Sequence, residues 1–222
     1  MKTVLALETS TKTLSVALGT QKGKVRELHS QSPLRHSENL IPLIDRLLKK
    51  ERLSLDQIDA FVIDRGPGSF TGLRIGYSLL KGFLAVRKRP CYGGLSLDMI
   101  AAKVAPAPHL GVLLDARREK IYSRFYRFHN GSWMPEGKKL ELLSMAILIS
   151  RLHKGTILAG DFSAPASEFK VRPVFPSART LVEWFQTKNP CLTPLKTPQD
   201  FVPLYFRSSE AEEKRREKLR GD

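Results

Sequence analysis

Short apolar runs separated by polar turns fill residues 3–30, and the pattern then changes to a helical period. The runs 3–8, 14–20 and 25–30 read as three successive strands joined by short polar turns, the last at Gln21-Lys22-Gly23-Lys24. Between Ser37 and Lys50 the apolar positions Leu40, Ile41, Leu43, Ile44, Leu47 and Leu48 form a wide stripe, with Asp45, Arg46, Lys49 and Lys50 opposite. That spacing predicts an amphipathic helix, in which Pro42 marks the true start or a kink. Ala60-Phe61-Val62-Ile63 reads as a buried strand, followed by a glycine-rich loop and a helix from Thr71 to about Val86. This second helix is apolar on nearly all sides, through Leu73, Ile75, Tyr77, Leu79, Leu80, Phe83, Leu84 and Val86, so it needs cover on two faces. Cys91-Tyr92 is a short strand, and Ser96 is expected to cap a helix running to Lys103.

The prolines of Ala105–Pro108 punctuate the chain as a hinge, and the pattern then restarts. A strand is predicted at 110–115, a turn at Arg117-Arg118-Glu119, a strand at 120–128 and a loop at Asn130-Gly131. A helix near 144–152, a strand at 156–160 and a helix at 178–187 follow. The stretch from Asn189 to Pro203, with four prolines, reads as an irregular return segment. Three strands, helix, strand, helix, partly repeated, is the layout of an α/β fold of the actin/sugar-kinase/Hsp70-like (ASKHA) type with duplicated βββαβα lobes. The expected division is 1–104, 105–206 and a basic helix or tail at 207–222, where Ser208 or Ser209 can cap acidic first turns and basic last turns.

Composition narrows the function classes. With 222 residues, 41% of them apolar, there is enough material for a core. No run approaches the roughly 18 to 20 apolar residues of a membrane span. Glu8 interrupts the apolar run after Lys2, so the N-terminal stretch reads as a strand rather than a signal peptide. Cys91 and Cys191 form no CxxC pattern, and a reduced cytoplasmic protein is the simpler expectation, with a disulfide left open. Thirty-seven Lys and Arg against 22 acids give a net charge of +15, a field that draws polyanions or simply confers solubility.

The sharpest motif is GPGSFTGLRIG at 66–76. A strand end, a glycine loop and a helix N-terminus together aim backbone N–H groups at one spot, which suits a phosphate or carboxylate. It is neither a Walker A loop nor a G-x-G-x-x-G fingerprint, and the glycines serve equally well for a tight turn and close helix–sheet packing.

This block resembles the signature of the TsaB (YeaZ) family almost letter for letter. Four further stretches match in order: Leu5-Ala6-Leu7-Glu8-Thr9-Ser10; His36-Ser37-Glu38 with Leu40 and Pro42; Leu114-Asp115-Ala116-Arg117-Arg118; and Pro203-Leu204-Tyr205-Phe206-Arg207. The region from about 130 to 200 offers little beyond Gly160-Asp161. The resemblance implies a cytoplasmic, non-catalytic dimerisation subunit of the bacterial assembly that forms N6-threonylcarbamoyladenosine (t6A) at tRNA position 37. Its implied partners are TsaD as a heterodimer, TsaE, and tRNA through the complex, with a homodimer as the fallback and no membrane.

In TsaD-type subunits an HxxxH pair holds a metal, because residues four apart share a helix face. Here His36 is present but the second position is Leu40, which cannot ligate, so no metal site is expected unless Asp64, Asp115 and Asp161 converge. The phosphate hairpin equivalents, Glu8-Thr9-Ser10-Thr11 and Asp115-Ala116-Arg117, lack glycine. No cofactor is therefore required, and only weak ATP or ADP binding at the complex interface is left open, through Thr9, Ser10, Gly66, Gly68 and Ser69. The expected partner interface is a helical bundle formed by Leu40, Ile41, Leu43, Ile44, Leu47, Leu73, Tyr77, Leu80 and Leu84. Two other readings compete: an ATP-dependent phosphotransferase or ATPase of the same fold, marked by turnover dependent on Glu8 or Asp115, and a tRNA-binding module in its own right, marked by steeply salt-dependent binding without TsaD.

Overall fold

The computed structural model describes residues 2–30, 36–137, 140–162 and 170–204. It contains two mixed sheets with the same strand plan. In the first, β1 (Val4–Glu8) pairs antiparallel with β2 (Leu14–Gly19), and β2 with β3 (Val25–Ser30). On its other side β1 runs parallel to β4 (Ala60–Asp64), and β4 to β5 (Cys91–Gly94). The second sheet repeats this plan with β6 (His109–Asp115), β7 (Lys120–His129) and β8 (Ser132–Pro135) antiparallel, and with β10 (Ile157–Asp161) and β11 (Val171–Pro173) parallel beside β6. A short β9 (Glu141–Ser144) also pairs with β7. The duplicated layout is the ASKHA-like arrangement expected from the strand–helix order.

Helices cover both sheets. On the first, α1 (His36–Glu51) and α2 (Phe70–Val86) bury Leu40, Leu43, Ile44, Leu47, Tyr77 and Leu80 against Leu5, Leu7, Val16, Leu18, Phe61 and Ile63. The opposite face, with Val4, Ala6, Ala17 and Val62, receives Ala178, Leu181, Val182 and Trp184 of α5 (Ala178–Thr187). The second sheet is covered by α3 (Ser96–Ala101) on one face and by α4 (Met145–Ser150) on the other. Thus α3, which precedes residue 104, packs on the second sheet, whereas α5 and the short β12 (Thr193–Leu195) return to the first.

Several expectations change. Pro42 lies inside α1, which continues on both sides of it. Ser96 does not cap α3, because the cap position is Leu95 and the Ser96 hydroxyl is turned to Asp64. Strand 193–195 replaces part of the irregular return, and β8, β9 and β11 were absent from the sequence pattern. Both cysteines are free. The tail at 207–222, and Tyr205-Phe206-Arg207 of the last matching stretch, lie outside the described residues. No described helix is long and apolar enough to cross a membrane.

Leu40, Leu43, Ile44, Leu47, Leu73, Tyr77 and Leu80 are buried in the chain's own core, so they are not the outer surface of a bundle. Leu84 is half-buried and Ile41 is exposed. Leu47→Ala is accordingly expected to cost about 2–5 kcal/mol of folding stability through the lost burial and residual cavity, read by urea denaturation.

Candidate functional site

Three glycines set how the first hairpin meets α2. Gly68, Gly72 and Gly76 recur every fourth residue and so present one bare edge of the helix and its approach loop. A Cβ at Gly68 would run into the Ser10 carbonyl, one at Gly72 into the Thr9 carbonyl, and one at Gly76 would stand 2.7 Å from Thr9 Oγ1. Ser69 N donates to the Ser10 carbonyl at 2.6 Å, and Ser69 Oγ caps the helix by accepting from Gly72 N at 3.2 Å. Positive φ belongs to Gly66 (91°) and not to Gly68, whose lack of a side chain serves close approach instead.

All five residues assigned to anion or nucleotide binding therefore come together, but as packing. Thr9 and Ser10 are buried, and the helix N-terminus that a phosphate would use is engaged by Ser10 and by its own cap. The equivalent turn of the second lobe, Ala116–Glu119, is closed without glycine. Arg117, Arg118 and Glu119 all take left-handed φ (63°, 48° and 59°), a strain of about 1–2 kcal/mol per residue.

Beneath the glycine contact lies a pair of carboxyls that sequence reading had not joined. The register setting Leu7 beside Ile63 continues to Glu8 and Asp64, at the C-terminal ends of parallel β1 and β4. Both are fully buried. Glu8 Oε1 accepts from Ser10 N and Ser10 Oγ, each at 2.7 Å. Asp64 Oδ1 accepts from Gly66 N at 2.7 Å, and Ser96 Oγ approaches both Asp64 oxygens at 2.8 and 2.9 Å. Burial, reinforced by the charge of Asp64, lifts the Glu8 carboxyl well above its ordinary range. Burial also pushes Asp64 up to about 6, against the opposing hydrogen bonds from Ser10, Gly66 and Ser96. Burial and mutual repulsion thus oppose ionisation of both carboxyls together.

Asp161 pairs with Lys12 at 3.0 Å and Asp115 accepts from Arg117 N at 2.7 Å, so the three aspartates considered for convergence are each engaged locally. Among the described residues no cluster of three metal-ligating side chains is found. A recess on the second lobe, lined by Phe125, Glu136, Glu141, Arg151 and His153, is ringed by mutually paired charges, Arg151 with Glu141 and Arg127 with Glu136.

The surface that remains is the outer side of α1 and α2. Leu40, Ile41, Phe70, Ile75 and Leu79 line a groove between the two helices, flanked by Ser37, Thr71, Arg74 and Ser78. Ile41 is 59% exposed there, a large side chain with no cover from this chain, and the Arg74 guanidinium stacks 3.8 Å over Phe70.

A family model for the tRNA N6-adenosine threonylcarbamoyltransferase TsaD matches residues 28–136, the segment holding α1, α2 and the glycine loop. Proteins described as tRNA threonylcarbamoyladenosine biosynthesis protein TsaB match as well. The one from Haemophilus influenzae is 33% identical over 123 residues, and the one from Escherichia coli is 32% identical over 137. The chain is similar to proteins of the TsaB (YeaZ) family. It spans 52% and 59% of the length of those two relatives and 76% of a TsaB from Buchnera aphidicola (strain Bp) that is 29% identical to it. YeaZ from Pseudomonas aeruginosa has the same fold, with a TM-score of 0.73 at 24% identity, over 93% of this chain and 100% of that one.

Gly72→Ala should destabilise the fold by about 1–3 kcal/mol, since a methyl there meets backbone that cannot move alone, and thermal melting reads it. The carboxyl pair generates a pH dependence of definite sign. Carboxyls raised by folding bind more protons folded than unfolded, so their stabilisation is complete below about pH 4 and is lost as pH rises through about 6 and beyond. Glu8→Gln keeps an acceptor for Ser10 and supplies a permanent N–H toward Asp64. Its melting temperature is therefore expected to fall less steeply above pH 6 than that of the unaltered chain.

Proposed function

We propose that this chain is the non-catalytic assembly subunit for t6A formation at tRNA position 37, docking a TsaD-type subunit through the outer groove of α1 and α2. The observation that carries this reading is the apolar line of exposed Ile41 and half-buried Ile75 and Leu79 between two helices. The family match supports the choice of occupant. A TsaD-type chain resembles residues 28–136, which include both helices, so it would offer a like pair, and two such pairs form a pseudo-symmetric four-helix bundle. The relatives named for t6A biosynthesis supply the pathway.

A supporting role in place of catalysis rests on what the site residues are engaged in. Leu40 stands where a second metal-binding histidine would, buried in the core. Thr9 and Ser10 are covered by Gly72 and Gly68, which leaves the hairpin no room to cradle a phosphate by itself. Any ATP or ADP bound at the complex interface would need groups from the partner. TsaE and tRNA join through the assembled pair.

Ile41→Glu and Ser78→Arg place charge on exposed groove positions, so each variant should melt as the unaltered chain does. Desolvating that charge in a bundle costs several kcal/mol, so binding to the cognate TsaD should weaken at least about a hundredfold, read by calorimetry and complex mass. Unchanged affinity in both folded variants overturns the assignment, and a homodimer lost in both while TsaD binding persists would assign the groove to self-association.

A further inference from the structure

One end of the first lobe gathers positive charge from segments far apart in sequence. The sheet register sets Gly19 opposite Val4, so the turn carrying Lys22 and Lys24 lies beside the start of β1. α1 ends at Glu51 and α2 at Val86, each shortly before a parallel strand begins at Ala60 or Cys91, which brings both C-termini to the same end. α5 starts near Ser15, to whose hydroxyl Ala178 N donates, and passes Gly19 with Val182 and Gln186, so Lys188 arrives there too. The Glu8 and Asp64 end, by contrast, faces the second lobe through Ser96 and the Lys12–Asp161 pair.

Three helix C-termini favour cations through their dipoles, for which about one cation each would serve. This end carries more. α1 brings Lys49, Lys50 and Arg52, and the residues after α2 are Arg87, Lys88 and Arg89. Glu51 takes up Lys24 and Arg26, and Asp56 lies 3.6 Å from Arg87. Lys22, Lys50, Lys88 and Lys188 stand exposed. Six strands at about 4.8 Å give a face about 24 Å across.

We propose that this end of the first lobe contacts the sugar-phosphate backbone of structured RNA, the tRNA on which the assembly acts. The inference rests on the function proposed above for the substrate's identity. Folded RNA suits it better than a lipid surface, because the long helices meet this end by their tips and the exposed apolar side chains Leu55 and Val86 stand singly beside Arg52, Asp56, Arg87 and Lys88. It also stands apart from the α1–α2 groove, so both surfaces can be occupied together.

The test titrates a tRNA transcript by fluorescence anisotropy against the full chain, alone and in complex with its cognate TsaD, across a salt series. Lys22→Glu, Lys50→Glu, Lys88→Glu and Lys188→Glu combined should lower affinity at least about tenfold and reduce the slope of log K against log salt by about two to four, in both settings. The same four positions changed to Gln, which spares the helix ends a negative charge, should lower both in the same direction by less. Lys154→Glu with Arg172→Glu, on the second lobe, should change neither. Complex formation with TsaD, measured by mass, should persist in every variant, so failure of the unaltered chain to bind TsaD counts against the assembly reading alone. Unchanged tRNA affinity and slope in the folded quadruple variants overturn the inference, as does an equal loss in the second-lobe control. Vesicles of anionic phospholipid bound more tightly than tRNA, with the same charge dependence, would overturn it in favour of a membrane.

Discussion

Backbone meeting backbone at Thr9-Ser10 and Gly68-Gly72 is the contact on which the rest of the first lobe depends. A side chain on either glycine would intrude on a carbonyl, so α2 can reach the hairpin only with both positions bare. The approach sets the helix N-terminus, where Ser69 caps and bonds to Ser10, and from that start Leu73, Tyr77 and Leu80 fall on the core side. Helical periodicity then leaves Ile75 and Leu79 turned toward α1 and the outside. The groove is thus a consequence of how the glycine loop is seated.

The same contact seals the Glu8–Asp64 pair. Two carboxyls at neighbouring positions of parallel strands resist ionising together away from water. Ser10 bonds to Glu8, and Gly66 and Ser96 bond to Asp64, each from a different junction: hairpin, glycine loop and start of α3. The network ties three connections at the face between lobes into one rigid corner. A catalytic acid in a cleft needs solvent or substrate within reach, whereas these oxygens have neither, which is why the corner reads as structural.

Much of this architecture was legible in the order of apolar and polar residues. β1 to β4, α1 and α2 follow the period changes to within a residue or two, because each buries one clear face. The strands missed were three or four residues long and lie toward sheet margins, and β12 carries Pro194, a composition that reads as loop. The glycine block was recognisable as a motif, but its two physical uses look alike in sequence. Only the distance to Ser10 separates an anion cradle from close packing. The interface residues were misplaced for a related reason, since an apolar stripe shows that a helix is covered but not whether sheet or partner covers it. Leu40 and Ile41 are adjacent, and only the sheet's position puts one in the core and the other outside. Glu8 and Asp64, 56 residues apart, become partners through strand register, which no local pattern encodes.

Charge follows a similar logic. The basic residues of the first lobe lie far apart in sequence, yet its connections return α1, α2 and α5 to one end of the sheet. Lys50, Lys88 and Lys188, far apart in sequence, end beside the turn that holds Lys22. A βαβ arrangement does this by construction, because each crossover helix must run antiparallel to the strands it links. The opposite ends of the strands are then the only place for the buried corner and the second lobe, while α1 and α2 keep their flanks free. Apolar groove, basic end and interlobe corner are three separate faces of one lobe. The proposed assembly role requires such separation, since a partner seated on one face must leave the next accessible.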